Sequence, residues 1–484
     1  MKKHSLRYNY ILNMIPQILS VLTPIITMPY VSRVLGSNSI GIIGFTGSII
    51  SYFTLACTIG LTTHGQLEIA YNQDDREKRS QVFWEILAFR ILLTLLVTMV
   101  YVIMFCVNRD LSSTYRLLII NLVSSCLNIS FLYTGVEDFT KPVMKNIIVR
   151  LVCVVLTFVF INDPGDYNLY IIIHSGMDLL MTLSFFIGIG KIVDLPKRKL
   201  HLFKHLKPSL ILFLPQIAIS VYTLLDKTML GRLLLDMNEV GYYEQGEKVV
   251  KTLLTLLTAI GSVLVPRIAS CIASKDYDQI KGYFNKVFKL IFLLGLPMML
   301  GIIAVAHNFV PVYFGPGFEK VPYIMICLSP IIIFISISSA LGSYLIPAKK
   351  MKTYNLAVFS GAIINFIFNF VMIPYIKSYG AAIATALAEG IIMTIELIAT
   401  RKVLNFKDSL KSSYKYFISA IIMFIVCFLV DQLALSQLVT LIIQISSGIV
   451  VYFGVLLILK DEFLLEMLDI VLVKLKIKKI KPTE

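Results

Sequence analysis

Residues 214–251, LPQIAISVYTLLDKTMLGRLLLDMNEVGYYEQGEKVVK, are answered near the start of the chain by residues 15–48, IPQILSVLTPIITMPYVSRVLGSNSIGIIGFTGS. Pro16, Gln17 and Ile18 match Pro215, Gln216 and Ile217, and the spacing from Pro16 to Arg33 equals that from Pro215 to Arg232. One residue is then gained, so that Gly41 matches Gly241. After one more, Ile59 and Gly60 match Ile260 and Gly261, and Gln66 falls near Arg267. Two similar hydrophobic helix pairs about 200 residues apart point to a protein built from two repeats, an arrangement that places a transport path between them.

The composition agrees. Of 484 residues 57% are hydrophobic and only 15% charged, with a mean hydropathy of +0.81. That excludes an ordinary soluble globule and indicates an all-α integral membrane protein. The formal net charge of +15 does not indicate nucleic acid, because Lys and Arg sit in short clusters between apolar runs, as a membrane orientation signal requires. Seven cysteines lie in or beside apolar runs without a CxxC pair and read as free packing residues, with no disulfide or metal framework. The basic start MKKHSLRY leads into a long apolar segment without a small-residue cleavage site, so the first helix is expected to be retained.

Fourteen runs approach the roughly 20 apolar residues that a spanning helix needs, the first near 11–30 and the last near 438–459. With the N-terminus inside, most of the 44 Lys and Arg residues fall on alternate connections, which is the bias expected if the count is right. Arg33, Arg109, Arg116, Arg232, Lys320 and Lys377 fall on the outside. The basic connection 191–208 separates two pseudo-symmetric six-helix lobes, 1–200 and 201–406. Residues 407–484 add helices thirteen and fourteen and a basic tail expected along the inner membrane surface.

Charges within apolar spans are costly unless they meet a partner, a cavity or an interface. Arg90 and Arg150 lie about 12 and 10 Å inside helices three and five, at about 1.5 Å per residue. Asp178 and Glu389 lie near the middle of the sixth helix of each lobe. Either Arg90 or Arg150 neutralises Asp178, or an acid here is a proton or cation site. In the opening stretch Asp226 and Lys227 are adjacent, so they point about 100° apart and do not pair side by side. Glu244 to Lys248 and Glu247 to Lys251 are spaced i,i+4 in the favourable order. Lys227, Lys248 and Lys251 would place positive charge at the mouth of a cavity, where a pyrophosphate gains charge-assisted hydrogen bonds. Arg90 and Arg150 complete the set of candidate head-group ligands. Asp178, Asp226 and Glu389 are the candidates for ion coupling or charge pairing. Asn365 and Asn369, one turn apart, read as sugar-binding or, more simply, as helix-packing residues.

The segments PQI and PYVSRVLGSNSIGIIGF, DKTMLGRLLLDMNEVGYYEQGEKV, PRIAS, FGPGFEK and IPYIKSYGAAIATALAE together resemble the polysaccharide flippases of the multidrug/oligosaccharidyl-lipid/polysaccharide exporter superfamily. The resemblance implies two six-helix lobes around a central cavity. It also implies movement of an undecaprenyl-pyrophosphate-linked oligosaccharide across the bacterial cytoplasmic membrane by alternating access, with both termini cytoplasmic. A polysaccharide polymerase and glycosyltransferases would be its partners in the membrane, and no cofactor, metal or nucleic acid is implied. Two other classes are a cation-coupled drug exporter of the same superfamily, which needs a more acidic or aromatic cavity, and a membrane polysaccharide polymerase. The second needs a large outside loop with catalytic groups, whereas 307–322 offers only Glu319 and Lys320. With no nucleophile constellation or phosphate-binding glycine loop, a non-enzyme is expected.

Overall fold

The computed structural model describes residues 6–107, 110–138, 140–404, 406–433 and 435–474. Arg109, the end of the basic tail and the side chains of Pro16, Gln17, Pro215 and Gln216 lie outside the described residues. Among those described, the chain is helical throughout and contains no strand. It divides into two compact units, Met1–Glu244 and Gln245–Glu484.

The first unit contains α1 (Leu6–Thr58), α2 (Leu61–Tyr71), α3 (Arg76–Tyr101), α4 (Ser112–Leu117), α5 (Ile119–Leu127), α6 (Ser130–Gly135), α7 (Thr140–Phe160), α8 (Tyr167–Ser184), α9 (Leu206–Leu234) and the start of α10 (Met237–Ala273). The second contains the rest of α10, then α11 (Tyr277–Phe314), α12 (Val321–Leu328), α13 (Ile331–Leu345) and α14 (Met351–Thr400). It ends with α15 (Phe406–Ser412), α16 (Tyr414–Asp431), α17 (Gln437–Ile458) and α18 (Glu462–Lys474).

Ten stretches among the described residues are long and apolar enough to cross a membrane. Some side chains within α9 and α10 lie outside the described residues, and two of the ten stretches, Leu22–Tyr71 and Met351–Thr400, are each 50 residues long. A straight helix of that length would measure roughly 75 Å, against a hydrocarbon layer of about 30 Å. Both are interrupted. Gly36 adopts φ 71° and ψ 172° inside α1, a conformation that glycine takes without strain. In α14, Ile376 and Lys377 leave helical geometry just after Pro374. Beyond that break Gly380 lies so close to Met372 that a Cβ would fall 2.9 Å from its carbonyl oxygen.

The repeat extends into the capping of the third helices. Asp75 caps α3 by accepting the Lys78 N–H at 3.0 Å, and Asp276 caps α11 by accepting the Gln279 N–H at 2.9 Å. Each satisfies one of the unpaired N–H groups of a helix start. The hydrogen bond from Lys78 also holds the Asp75 carboxyl below its usual range.

One expected helix is broken. The fourth apolar run appears as α4, α5 and α6, with Asn128 in extended backbone between the last two. The Asn128 side chain accepts the Ser130 N–H at 3.1 Å, and its freed carbonyl is taken by Arg90. In the second unit the two last long helices pack on α11. Tyr452 donates to the Leu293 carbonyl at 2.7 Å, and Gln444 donates to the Cys427 carbonyl at 3.0 Å. All seven cysteines are free.

Candidate functional site

The repeated segments meet within the first unit, where the limb of α1 beyond Gly36 crosses the start of α10. A Cβ on Gly41 would fall 1.7 Å from the Met237 carbonyl oxygen, and one on Gly241 would fall 2.0 Å from that of Ser37. Since Gly41 matches Gly241 and the offset of 200 also relates Ser37 to Met237, the contact is reciprocal. Each repeat presents its glycine to the backbone of the other. Gly231 on α9 leaves similar room for the Phe45 ring, whose Cδ2 would lie 2.3 Å from a Cβ. Ser37 donates to Asn238 Oδ1 at 2.8 Å, and the hydroxyls of Ser48 and Thr228 are 2.9 Å apart.

Beside this crossing, α9 and α10 carry a two-rung polar ladder. Lys227 pairs with Glu244 at 2.6 Å, and Tyr243 donates to Asp226 at 2.6 Å. Asp226 and Lys227 thus turn to consecutive residues of α10, consistent with their expected angular separation. The pair is largely buried, with side chains 16% and 9% exposed. Gly44 makes room for it, since a Cβ there would lie 3.2 Å from Glu244 Oε2.

Farther along the same helices a cavity of about 620 Å³ opens among α1, α5, α8 and α9. Its wall includes the hydroxyls and amides of Ser51, Thr54, Thr58, Asn121, Ser124 and Asn128. Asp178 is its single charged group among the described residues. On α9 it is lined by Ser220, Thr223 and Leu224. Lys227 follows Thr223 by four residues, one turn farther on the same helix face. A wall of hydroxyls and amides can exchange hydrogen bonds with sugar hydroxyls in many arrangements, and Asp178 adds an acceptor or a charge.

The other candidates are placed as follows. Arg90 is 1% exposed. Its guanidinium donates to the Asn128 carbonyl at 2.6 Å and to Thr62 Oγ1 at 2.9 Å, and stands over the Phe131 ring. It therefore supports the cavity wall through Asn128 rather than pairing with Asp178. Arg150 donates to Asn146 Oδ1 at 2.7 Å and is the cation that acts electrostatically on Asp178. In the second unit Lys251 pairs with Glu247 at 2.5 Å, as the i,i+4 spacing leads one to expect, and Lys248 is half-buried. Glu389 is buried in α14. Asn369 donates to Asn365 at 3.1 Å, and both are buried, as helix-packing residues are.

Sequence reasoning missed the cavity wall itself, although Ser51, Thr54 and Thr58 recur at helical spacing through an apolar run. Glu396, seven residues after Glu389 and on nearly the same helix face, is fully buried in α14 and accepts from Ser338 at 2.5 Å. The second unit has a different cavity, about 470 Å³, lined by apolar side chains of α10, α11, α16 and α17 such as Leu253, Leu294 and Ile449. That lining suits a hydrocarbon chain and not a sugar.

Comparison with known proteins gives concordant results. The polysaccharide biosynthesis protein family matches residues 6–272, and the MatE family matches residues 212–371. An Escherichia coli protein named as an O-antigen transporter is 24% identical over 409 residues, covering 82% of this chain and 97% of its own. A Haloferax volcanii protein named as a low-salt glycan biosynthesis flippase is 25% identical over 236 residues, 48% of this chain and 49% of its own. Among solved structures, the lipid II flippase MurJ in an inward closed conformation superposes with a TM-score of 0.75 at 17% identity. It covers 94% of this chain and 99% of that one, a likeness of fold.

Proposed function

The chain belongs to the polysaccharide biosynthesis protein family, and from that premise we propose that it is a flippase. Its substrate is a polyprenyl-pyrophosphate-linked oligosaccharide, which it moves across the bacterial cytoplasmic membrane by alternating access. The observation that carries the reading is the polar cavity of the first unit. A flippase must give a hydrated oligosaccharide a wet, hydrogen-bonding path while the lipid tail stays in the hydrocarbon, and the wall around Ser51, Asn121 and Thr223 offers one. The family and the named relatives are transporters and flippases, and this chain is read as a transporter with no catalytic step.

The head-group cations are drawn from Lys227, Lys248, Lys251, Arg90 and Arg150. Lys227 has the strongest support, standing one turn past Thr223 and already engaged by a carboxylate that a pyrophosphate can replace. In this reading α1 and α14 each cross the membrane twice, α9 and α10 cross once each, and the total is fourteen. Both termini are cytoplasmic, the six-helix lobes are 1–200 and 201–406, and α16 and α17 complete the bundle in 407–484. Asp178, Asp226 and Glu389 remain the ion-coupling candidates. A polymerase and glycosyltransferases that supply and consume the same lipid-linked unit are the expected partners.

One observation favours a second reading. The cavity has Asp178 as its charge and no Lys or Arg on its wall among the described residues, which suits an organic cation and hence a cation-coupled exporter. Expression in a host lacking its own repeat-unit flippase separates the two. Restored surface polysaccharide supports the flippase; resistance to cationic dyes without restored polysaccharide supports the exporter.

A further inference from the structure

At the opposite end of α9 from the Lys227–Glu244 pair, three buried side chains form a continuous hydrogen-bonded chain. His64 Nε2 lies 2.9 Å from His205 Nδ1, and His205 Nε2 lies 2.9 Å from Glu85 Oε2. All three are at most 5% exposed. The other Glu85 oxygen accepts the Gln81 amide at 2.9 Å and the His201 N–H at 3.1 Å.

We propose that His64, His205 and Glu85 form a proton-binding site that fastens the first turn of α9 to α2 and α3 and releases it when a second proton enters. His205 immediately precedes α9, and Gly60, at the break between α1 and α2, lies where a Cβ would fall 2.6 Å from the Ser209 carbonyl oxygen. The start of α9 is therefore seated on the α1–α2 corner and held there by the imidazoles. The connection before it is strapped to α3 by groups that keep their charge or have none. Arg79 donates to the Ile192 carbonyl at 2.7 Å, Trp84 to the Asp194 carbonyl at 2.8 Å, and Arg76 pairs with Asp194 at 2.7 Å. Only the last link is built from imidazoles, the side chains whose ordinary charge change falls between pH 5 and 8.

The geometry limits the site to one added proton. With Glu85 ionised, His205 Nε2–H donates to it and His64 Nε2–H donates to His205 Nδ1, so both rings are neutral and both contacts are satisfied. One proton on His64 Nδ1 leaves every contact intact and balances the Glu85 charge. If both rings are imidazolium, however, each nitrogen carries a hydrogen, and two N–H groups face one another across the 2.9 Å contact. A proton placed on Glu85 Oε2 instead sets a donor against His205 Nε2–H. Either way the chain breaks. Glu68 on α2 and Lys204 on the connection also act on His64, with opposite sign. The clasp is thus closed at neutral pH and opens on acidification, on the face that the proposed topology makes cytoplasmic. It frees the base of the helix that carries Ser220, Thr223 and Lys227. The inference concerns this chain's own residues and holds whichever substrate the cavity takes.

Hydrogen exchange on the full-length protein in nanodiscs, corrected for intrinsic rates, tests it. Amides of residues 201–210 are expected to lose about tenfold in protection between pH 8 and pH 5. His64→Gln is expected to remove that dependence, because a glutamine amide turns to donate to His205 or to accept from it. Equal wild-type protection at the two pH values would overturn the proposal without any variant. So would an unchanged pH response in folded His64→Gln protein.

Discussion

Replacing Lys227 by methionine separates two roles that its pairing with Glu244 combines. The substitution takes from Glu244, 9% exposed, the cation that stands 2.6 Å from it, which should lower the melting temperature in detergent. The double variant Lys227→Met, Glu244→Gln removes both charges, so most of the stability is expected to return. Export of surface polysaccharide, measured at matched protein level, is expected to fail in both. A double variant that exports normally would remove Lys227 from head-group binding. At this scale the sequence was only partly legible. The adjacent Asp226 and Lys227 showed that they do not pair with each other, but their partners Tyr243 and Glu244 become evident only once α9 and α10 fold back on one another. Arg90 was legible as a buried cation that needs a partner. The partner is a main-chain carbonyl freed by a break in a neighbouring helix, which no side-chain pattern marks.

The helices differ in how firmly their glycines are required. Gly36 has open space around it and needs only its glycine-specific backbone conformation, so Gly36→Ala is expected to cost about 1–3 kcal/mol. Gly41→Ala and Gly241→Ala would force two backbones apart at the α1–α10 crossing. Each is expected to lower the melting temperature more than Gly36→Ala does, and a ranking the other way would contradict the reciprocal crossing. The glycine match was legible from the repeat offset alone, because small residues recur where helices of a duplicated protein must touch. The breaks at Gly36 and after Pro374 were legible through glycine and proline. The break at Asn128 was not, since neither residue stands near it in the apolar run and it is held by a tertiary contact from Arg90. The cavity was illegible for a related reason. Its hydroxyls are spread over four helices, and one-dimensional spacing does not say which helices are neighbours.

For the whole molecule, the fourteen-crossing arrangement makes a direct forecast about sidedness. In a cysteine-free background, Asn162→Cys and Lys275→Cys, both at exposed positions, are expected to react with an impermeant thiol reagent from opposite faces of the membrane, the first outside and the second inside. Reaction from one face would break the alternation on which the count depends. Sidedness is only the frame for the central claim, that the polar cavity of the first unit carries the sugar head of a lipid-linked oligosaccharide across the membrane. The most direct measurement uses proteoliposomes holding the protein and a fluorescent polyprenyl-pyrophosphate oligosaccharide in both leaflets, with an impermeant quencher added outside. Wild-type protein is expected to bring nearly all of the fluorescence within reach of the quencher, while folded protein with the cavity filled by Ser51→Leu and Thr223→Leu leaves about the inner half protected. Equal quenching by the filled variant, or no quenching beyond the outer leaflet by wild type, would contradict the account.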